Sequence, residues 1–326
     1  MCSEVLSRLC NRAQEEGLIQ GIKVARGCPR INHLLFTDDT MFFLNATEEN
    51  SQALMSILRD YEDAAGQSIN KEKSAVTFSR RSPPALKDSV KNILQIQKEG
   101  GVGKYLGLPE HFGRRKCDLF STIVDHITQK ARGWSTKLLS SAGKLVMLQS
   151  VLSAISSFSM TGFKLPVSLC KRIQSVITRF WWDKTEGVKK MAWISWDSMA
   201  KPKFVGGLGL RDFQKFNDTL LGKIGWRLMN NPNCILGKIL KGKYFQESSF
   251  LLAEEALVMS HGWRGVLLGR DLLLKNLGRV VGNGLSIKVW RDPWLSLSTQ
   301  ERPMGPPTEQ SVELIVSDLL MSGTTQ

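Results

Sequence analysis

The sequence predicts an α+β chain: helices interleaved with short antiparallel strands at the start, a mainly helical middle, and a small mixed segment at the end. Three observations carry that reading. Residues 33–44 set two apolar runs either side of Asp38 and Asp39, the pattern of a β-hairpin with a polar tip. From Cys117 onward the apolar residues fall at helical spacing. The helical pattern then breaks at Asn230-Asn231-Pro232-Asn233, and beyond it an alternating run, 285–290, comes after the turn Gly282-Asn283-Gly284.

In chain order, Val5, Leu6, Leu9 and Ala13 share one helical face, and Gly17 stops that helix. Residues 19–24 read as a strand leading through Gly27 and Pro29 into the hairpin, whose two apolar runs suit burial on both sides. Thr47 before Glu48 and Glu49 suits a helix N-cap with acidic first-turn residues. Leu54, Ile57, Leu58, Tyr61 and Ala65 line that helix, and Gly66 ends it. Residues 69–78 read as a returning strand with Lys71 and Lys73 on one face. A further helix starts at Ser82-Pro83 with Leu86, Val90, Ile93 and Leu94 as its stripe, and Gly100, Gly101 and Gly103 turn into a short strand at Tyr105.

The middle carries four helical stripes: Leu119, Ile123, Val124 and Ile127; Leu145, Leu148, Val151, Leu152 and Ile155; Leu169, Ile173, Val176, Ile177 and Phe180; Phe213, Phe216, Leu220, Ile224 and Leu228. A packed bundle is expected, with Lys130, Arg132, Lys137, Lys144, Lys171, Arg172 and Arg179 on its polar faces. Three regions result: 1–115, 116–230 and 231–326.

Charge distribution narrows the function. Residues 1–100 hold 13 basic and 13 acidic side chains, 101–250 hold 24 and 9, and 251–326 hold 7 and 8. The net charge of +14 therefore sits in the middle. Such a basic segment is the footprint of a polyanion-binding surface, or else a solvated face with no partner. Trp181, Trp182, Trp193 and Trp196 flank the basic turn 184–190; they suit either core packing or stacking on unpaired bases. The six cysteines are scattered with no Cys-X-X-Cys pair, so neither a zinc site nor a disulfide framework is expected, and a reducing compartment fits. No apolar run approaches a membrane span, and Glu4, Glu15 and Glu16 argue against a secretory signal or transit peptide. A membrane partner is thus not expected, and a nuclear or cytoplasmic location is preferred to an organelle.

Asp38 and Asp39 repel one another, and water, basic side chains or a hard cation such as Mg2+ would stabilise both. Taken alone, the pair reads first as a turn that uses Asp for local hydrogen bonds. Its neighbours add to this. Phe36-Thr37-Asp38-Asp39 is followed by Gly66-Gln67-Ser68-Ile69-Asn70-Lys71-Glu72-Lys73-Ser74 and by Lys104-Tyr105-Leu106-Gly107-Leu108-Pro109. In these three stretches the chain resembles the reverse transcriptases of plant LINE-type (non-LTR) retrotransposons. The similarity runs on through Gly206-Gly207-Leu208-Gly209-Leu210-Arg211-Asp212 and through 282–294, so it covers nearly the whole chain.

The resemblance implies a partial polymerase palm over 1–115, a thumb-like helical region holding a template-primer of RNA or DNA by its backbone, and a connector after it. It makes Asp38 and Asp39 catalytic ligands of Mg2+ and sets Lys73 near the phosphates of the incoming nucleotide, as a proton donor to pyrophosphate. An exposed strand lysine fits Lys73 equally. Tyr105 would belong to the hairpin supporting the primer end. The fingers, the first catalytic palm strand with its aspartate and the glutamine-glycine motif are absent from the chain, so two-metal polymerisation is not expected of it alone. An apolar palm edge is expected to be exposed and to invite association. The alternatives are an active polymerase complemented by another chain, and a basic helical nucleic-acid-binding or scaffold protein.

Overall fold

The computed structural model of the chain describes residues 2–101, 104–105, 108–109, 120–134, 139–183, 190–296, 301–309 and 311–320, with backbone alone at Cys2, Lys104, Tyr105, Leu108, Pro109 and Trp134. The class is α+β, built from helices and two-stranded antiparallel ladders. It divides into two compact units, residues 1–119 with 233–248 and residues 120–232 with 249–326.

In the first unit, α1 (Cys2–Glu15) and α2 (Glu48–Ala65) face one another. Their apolar stripes meet: Leu6, Cys10 and Ala13 pack with Leu54, Ile57, Leu58 and Tyr61 around Ile19. The local rules are obeyed at both ends of α2. The Thr47 side chain accepts from the Asn50 N–H, and Gly66 closes the helix at φ 65°, a left-handed conformation that costs glycine little. The ladders pair β1 (Ile22–Lys23) with β2 (Arg30–Ile31) and β3 (His33–Phe36) with β4 (Asp39–Phe42). Then come α3 (Pro84–Leu94) and the ladder of β5 (Lys104–Tyr105) with β6 (Leu108–Pro109).

Two expectations are corrected here. Residues 69–78 form no strand, because Asn70 satisfies the backbone locally: its side chain accepts from the Lys73 N–H at 3.0 Å, and its carbonyl accepts from the Ser74 hydroxyl at 2.8 Å. Val76 alone bridges, in parallel, to Glu99. Nor is the hairpin buried on both sides. Leu35 and Phe42 pack on the core, while Leu34 and Phe36 keep 42% and 53% of their surface exposed.

The second unit contains α4 (Ser121–Trp134), α5 (Ser141–Met147), α6 (Val167–Trp182), the short α7 (Trp196–Ala200) and α8 (Phe213–Asn230). After α5 the helical path continues through a π turn, Leu148–Leu152, and short pieces to Gly162. Next in the chain, α9 (Ile235–Tyr244) folds with the first unit. A Cβ on its Gly242 would overlap the Gly27 carbonyl, and the Cys28 thiol donates to the Ile239 carbonyl at 3.3 Å. Then α10 (His261–Asn276) returns to the second unit. The sequence places a boundary near residue 230; in the structure 233–248 belongs to the first unit and 249–326 to the second. The expected strand at 285–290 is replaced by a single antiparallel bridge, Lys288 to Ile315, with Ile287, Val289 and Val316 as a small core.

α8 and α10 cross where glycines remove the side chains. A Cβ at Gly269 would overlap the carbonyl of Leu221 and crowd the amide of Gly222. At Gly265 a Cβ would lie 3.3 Å from both the Leu221 side chain and the Lys164 amide. This close approach turns α8 away from its apolar stripe: Phe213, Asn217, Leu221, Gly222, Gly225 and Leu228 are buried, whereas Phe216, Leu220 and Ile224 are only half-buried. Asn217 is fully buried and fully satisfied. Its amide accepts from the Leu165 N–H at 2.8 Å and donates to the carbonyls of Met160 and Phe163 at 2.8 and 2.9 Å. Gly269→Ala should destabilise the chain by about 2–3 kcal/mol in denaturant unfolding, since backbone must move. Gly262→Ala, whose new Cβ would meet nothing nearer than 3.9 Å, should be neutral or stabilising by up to about 1 kcal/mol.

Candidate nucleic-acid interface

Two groups of candidate residues lie in different units: the acidic hairpin tip in the first and the basic helices in the second.

The hairpin is held in place by its first strand. Asn32 is buried, and its amide donates to the Cys10 carbonyl at 3.1 Å. That orients the Asn32 oxygen toward His33 Nδ1, 2.5 Å away, while His33 Nε2 lies 2.9 Å from the Ser7 hydroxyl. The Asn32 oxygen makes Nδ1 the donor, and Nε2 meets the Ser7 hydroxyl. Burial holds the His33 pKa below its ordinary 6.5. The hairpin thereby hangs on α1.

At the tip, Phe36 pairs with Asp39, leaving Thr37-Asp38 as a two-residue loop. Thr37 sits at φ 48°, a left-handed conformation that strains a β-branched residue. Asp39, opposite Phe36, shares the outward face with Phe36 and Leu34. Both carboxylates are exposed, and among the described residues neither is in an ion pair. Their oxygens suit Mg2+ chemically. Among the described residues no group of three or more His, Cys, Asp or Glu is placed to hold a metal ion. Lys73 is exposed on the Asn70 turn, and Lys71, instead of sharing a strand face with it, donates to the Gln95 side chain at 2.7 Å. The backbone of Tyr105 pairs with Leu108, in the hairpin expected there; its side chain lies outside the described atoms.

The basic side chains divide into two kinds. Lys171, Arg172 and Arg179 project from α6, and Lys130 and Arg132 from α4; all five are exposed on two helices that pack together. Arg172 and Arg179, two helical turns apart, are separated by about 10.5 Å along the axis, the rise of roughly three nucleotides of one strand at 3.4 Å each. Lys144 is different. Its ammonium donates to the carbonyls of Trp181 at 3.3 Å and Asp183 at 3.0 Å and lies 5.7 Å from the Phe180 ring centre. It neutralises the C-terminal end of α6. Lys137 lies outside the described residues. Sequence reasoning missed this division, which only the distance from a lysine to a helix end reveals. The buried thiol of Cys10, pushed up to about 11 by burial, has no part in such a surface.

No known family model matches the chain. The uncharacterized mitochondrial protein AtMg00310 of Arabidopsis thaliana is 36% identical over 154 residues, which are 47% of this chain and 98% of that protein. The chain belongs to that protein's family. It is also similar to the putative ribonuclease H protein At1g65750 of the same plant, 31% identical over 217 residues, covering 63% of this chain and 34% of the relative. The uncharacterized mitochondrial protein AtMg01250 is 65% identical over 40 residues, 12% of this chain and 33% of its own length. The chain thus spans about a third of each of these last two relatives. No described helix is long and apolar enough to cross a membrane.

Thr37→Gly should stabilise the chain by about 1 kcal/mol in denaturant unfolding by relieving the left-handed threonine. His33, its folded pKa depressed, contributes stability that is present above its unfolded pKa of 6.5 and lost as pH falls through the folded value. The difference in unfolding free energy between the wild type and His33→Gln should therefore shrink as pH drops below 6.5.

Proposed function

We propose that the chain is a retroelement-derived, reverse-transcriptase-type polypeptide that binds RNA or DNA through its basic helical unit and does not polymerise by itself. The observation that carries the binding is the placement of charge: residues 120–232 of the second unit hold 17 basic and 6 acidic side chains. Five of those cations stand exposed on α4 and α6. Such contacts act on phosphates, not bases, so the binding is without sequence preference. The palm-like assignment rests on the resemblance of the three ordered motifs and is supported by a hairpin that carries the acidic pair at its tip.

The reading of inactivity comes from ligand arithmetic. Two-metal phosphoryl transfer needs enough carboxylates to hold two cations while phosphates bridge them. An exposed tip with two carboxylates does not meet that need, and no reaction step is assigned to it. One observation favours a second reading, polymerase activity when another chain completes the site: the apolar outer face of the hairpin, Leu34 and Phe36, is open to association.

Binding to a nucleic-acid duplex should weaken steeply with salt. Replacing Lys171, Arg172 and Arg179 with Gln should flatten the slope of log K against log salt by about 2–3. A slope unaffected by the replacements, or binding insensitive to salt, would contradict the reading. Primer extension with Mg2+ by the purified chain should yield no product; incorporation that Asp38→Ala abolishes would refute the inactivity.

A further inference from the structure

The four tryptophans that flank the basic turn do not share one fate. Trp181, Trp182 and Trp196 are half-buried, but Trp193 keeps 78% of its surface exposed. Trp196 is an inward anchor, its ring stacked on the buried Phe213 with centres 6.0 Å apart. Met199, at the other end of α7, is 2% exposed. The chain beyond it is then closed on itself. Leu208 N–H donates to the Met199 carbonyl at 2.9 Å, Gly209 N–H to the Lys201 carbonyl at 2.9 Å, and Gly207 N–H to the Pro202 carbonyl at 3.2 Å. A Cβ at Gly207 would overlap the Lys201 carbonyl, so this turn admits glycine. Gln149 fixes the loop from outside by donating to the Leu208 carbonyl at 2.9 Å.

Phe204 stands at the tip of that loop, in the 3-10 turn Lys203–Val205, with 90% of its surface exposed. An exposed Phe on a closed loop and an exposed Trp three residues before the inward-facing Trp196 go against the ordinary preference of such rings for burial. Their surroundings combine apolar and basic side chains, with Met191, Ile194 and Val205 exposed as well. Lys190, Lys201 and Lys203 are exposed, against one acidic side chain, Asp197, between 190 and 205.

We infer that the segment 190–205 is a stacking platform for unpaired nucleobases, with Trp193 and Phe204 receiving base faces and Lys190, Lys201 and Lys203 receiving the phosphates between them. The charge selects the occupant: an apolar protein surface would gain from the rings but would leave the lysines unmatched, whereas a single strand offers planar faces and anions in alternation. A duplex hides its base faces and can use only the lysines. This inference rests on the nucleic-acid reading above and adds to it a preference for single strands, on a segment that starts at the C-terminal end of α6, where the Lys190 N–H donates to the Asp183 carboxylate at 2.9 Å.

The test uses the whole chain and two fluorescent probes, an oligouridylate longer than a site of about 4–16 nucleotides and a duplex of equal length, with binding followed by anisotropy. The double variant Trp193→Ala with Phe204→Ala should weaken oligouridylate binding about tenfold or more and duplex binding less than about twofold. Trp193→Phe should retain most of the affinity, and circular dichroism should show all variants folded, since both rings are exposed. Undiminished oligouridylate binding by the double variant would overturn the platform, as would an equal loss on both probes. Loss on both probes with Lys171, Arg172 and Arg179 replaced, but not with Trp193 and Phe204 replaced, would leave the charged helices standing and remove the platform alone. Failure of the wild type to bind either probe would remove both readings. A protein ligand captured through these rings, with oligouridylate binding unaffected, would also count against the inference.

Discussion

The second unit depends on a place where two helices touch backbone to backbone. α8 and α10 meet at Gly269 against Leu221 and Gly222 so closely that one added carbon has no room. Close approach of this kind gains dispersion contacts along the whole crossing but forbids side chains at it. Asn217 extends the same constraint, tying the turn at Met160, Phe163 and Leu165 to the buried face of α8. Among the described residues the buried polar side chains of this unit are Asn217 and three serines, Ser153, Ser156 and Ser159.

The first unit obeys a different rule. Its core is a conventional meeting of two amphipathic helices, and the hairpin adds only one face to it. The other face carries Leu34, Phe36 and Asp39, apolar and acidic side by side. A strained threonine holds the loop beside them. A left-handed threonine persists only where the surrounding structure over-determines it.

Much of this was legible in the residues. The Thr47 cap, the Gly66 stop, the α1 and α2 stripes and the hairpin pairing all come from local rules, and local interactions enforce them. The misreadings share one cause, competition that periodicity does not register. Residues 69–78 read as a returning strand, but Asn70 captures the backbone first. The apolar stripe of α8 points to Phe216 and Leu220, yet the buried face is set by glycines whose value is their smallness. Lys144 reads as one more surface cation until its distance to the end of α6 is known. The residues leave Trp193 open between core and surface, and only its exposure separates it from its neighbours.

The proposed binding puts nucleic acid on the helical unit and not on the acidic hairpin. Hydrogen exchange of the chain, with and without a saturating oligonucleotide, reads this directly, segment by segment. The account predicts slowed exchange in 167–182 and 190–205, with 33–42 unchanged. Protection centred on 33–42, with the basic segments unaffected, would contradict it.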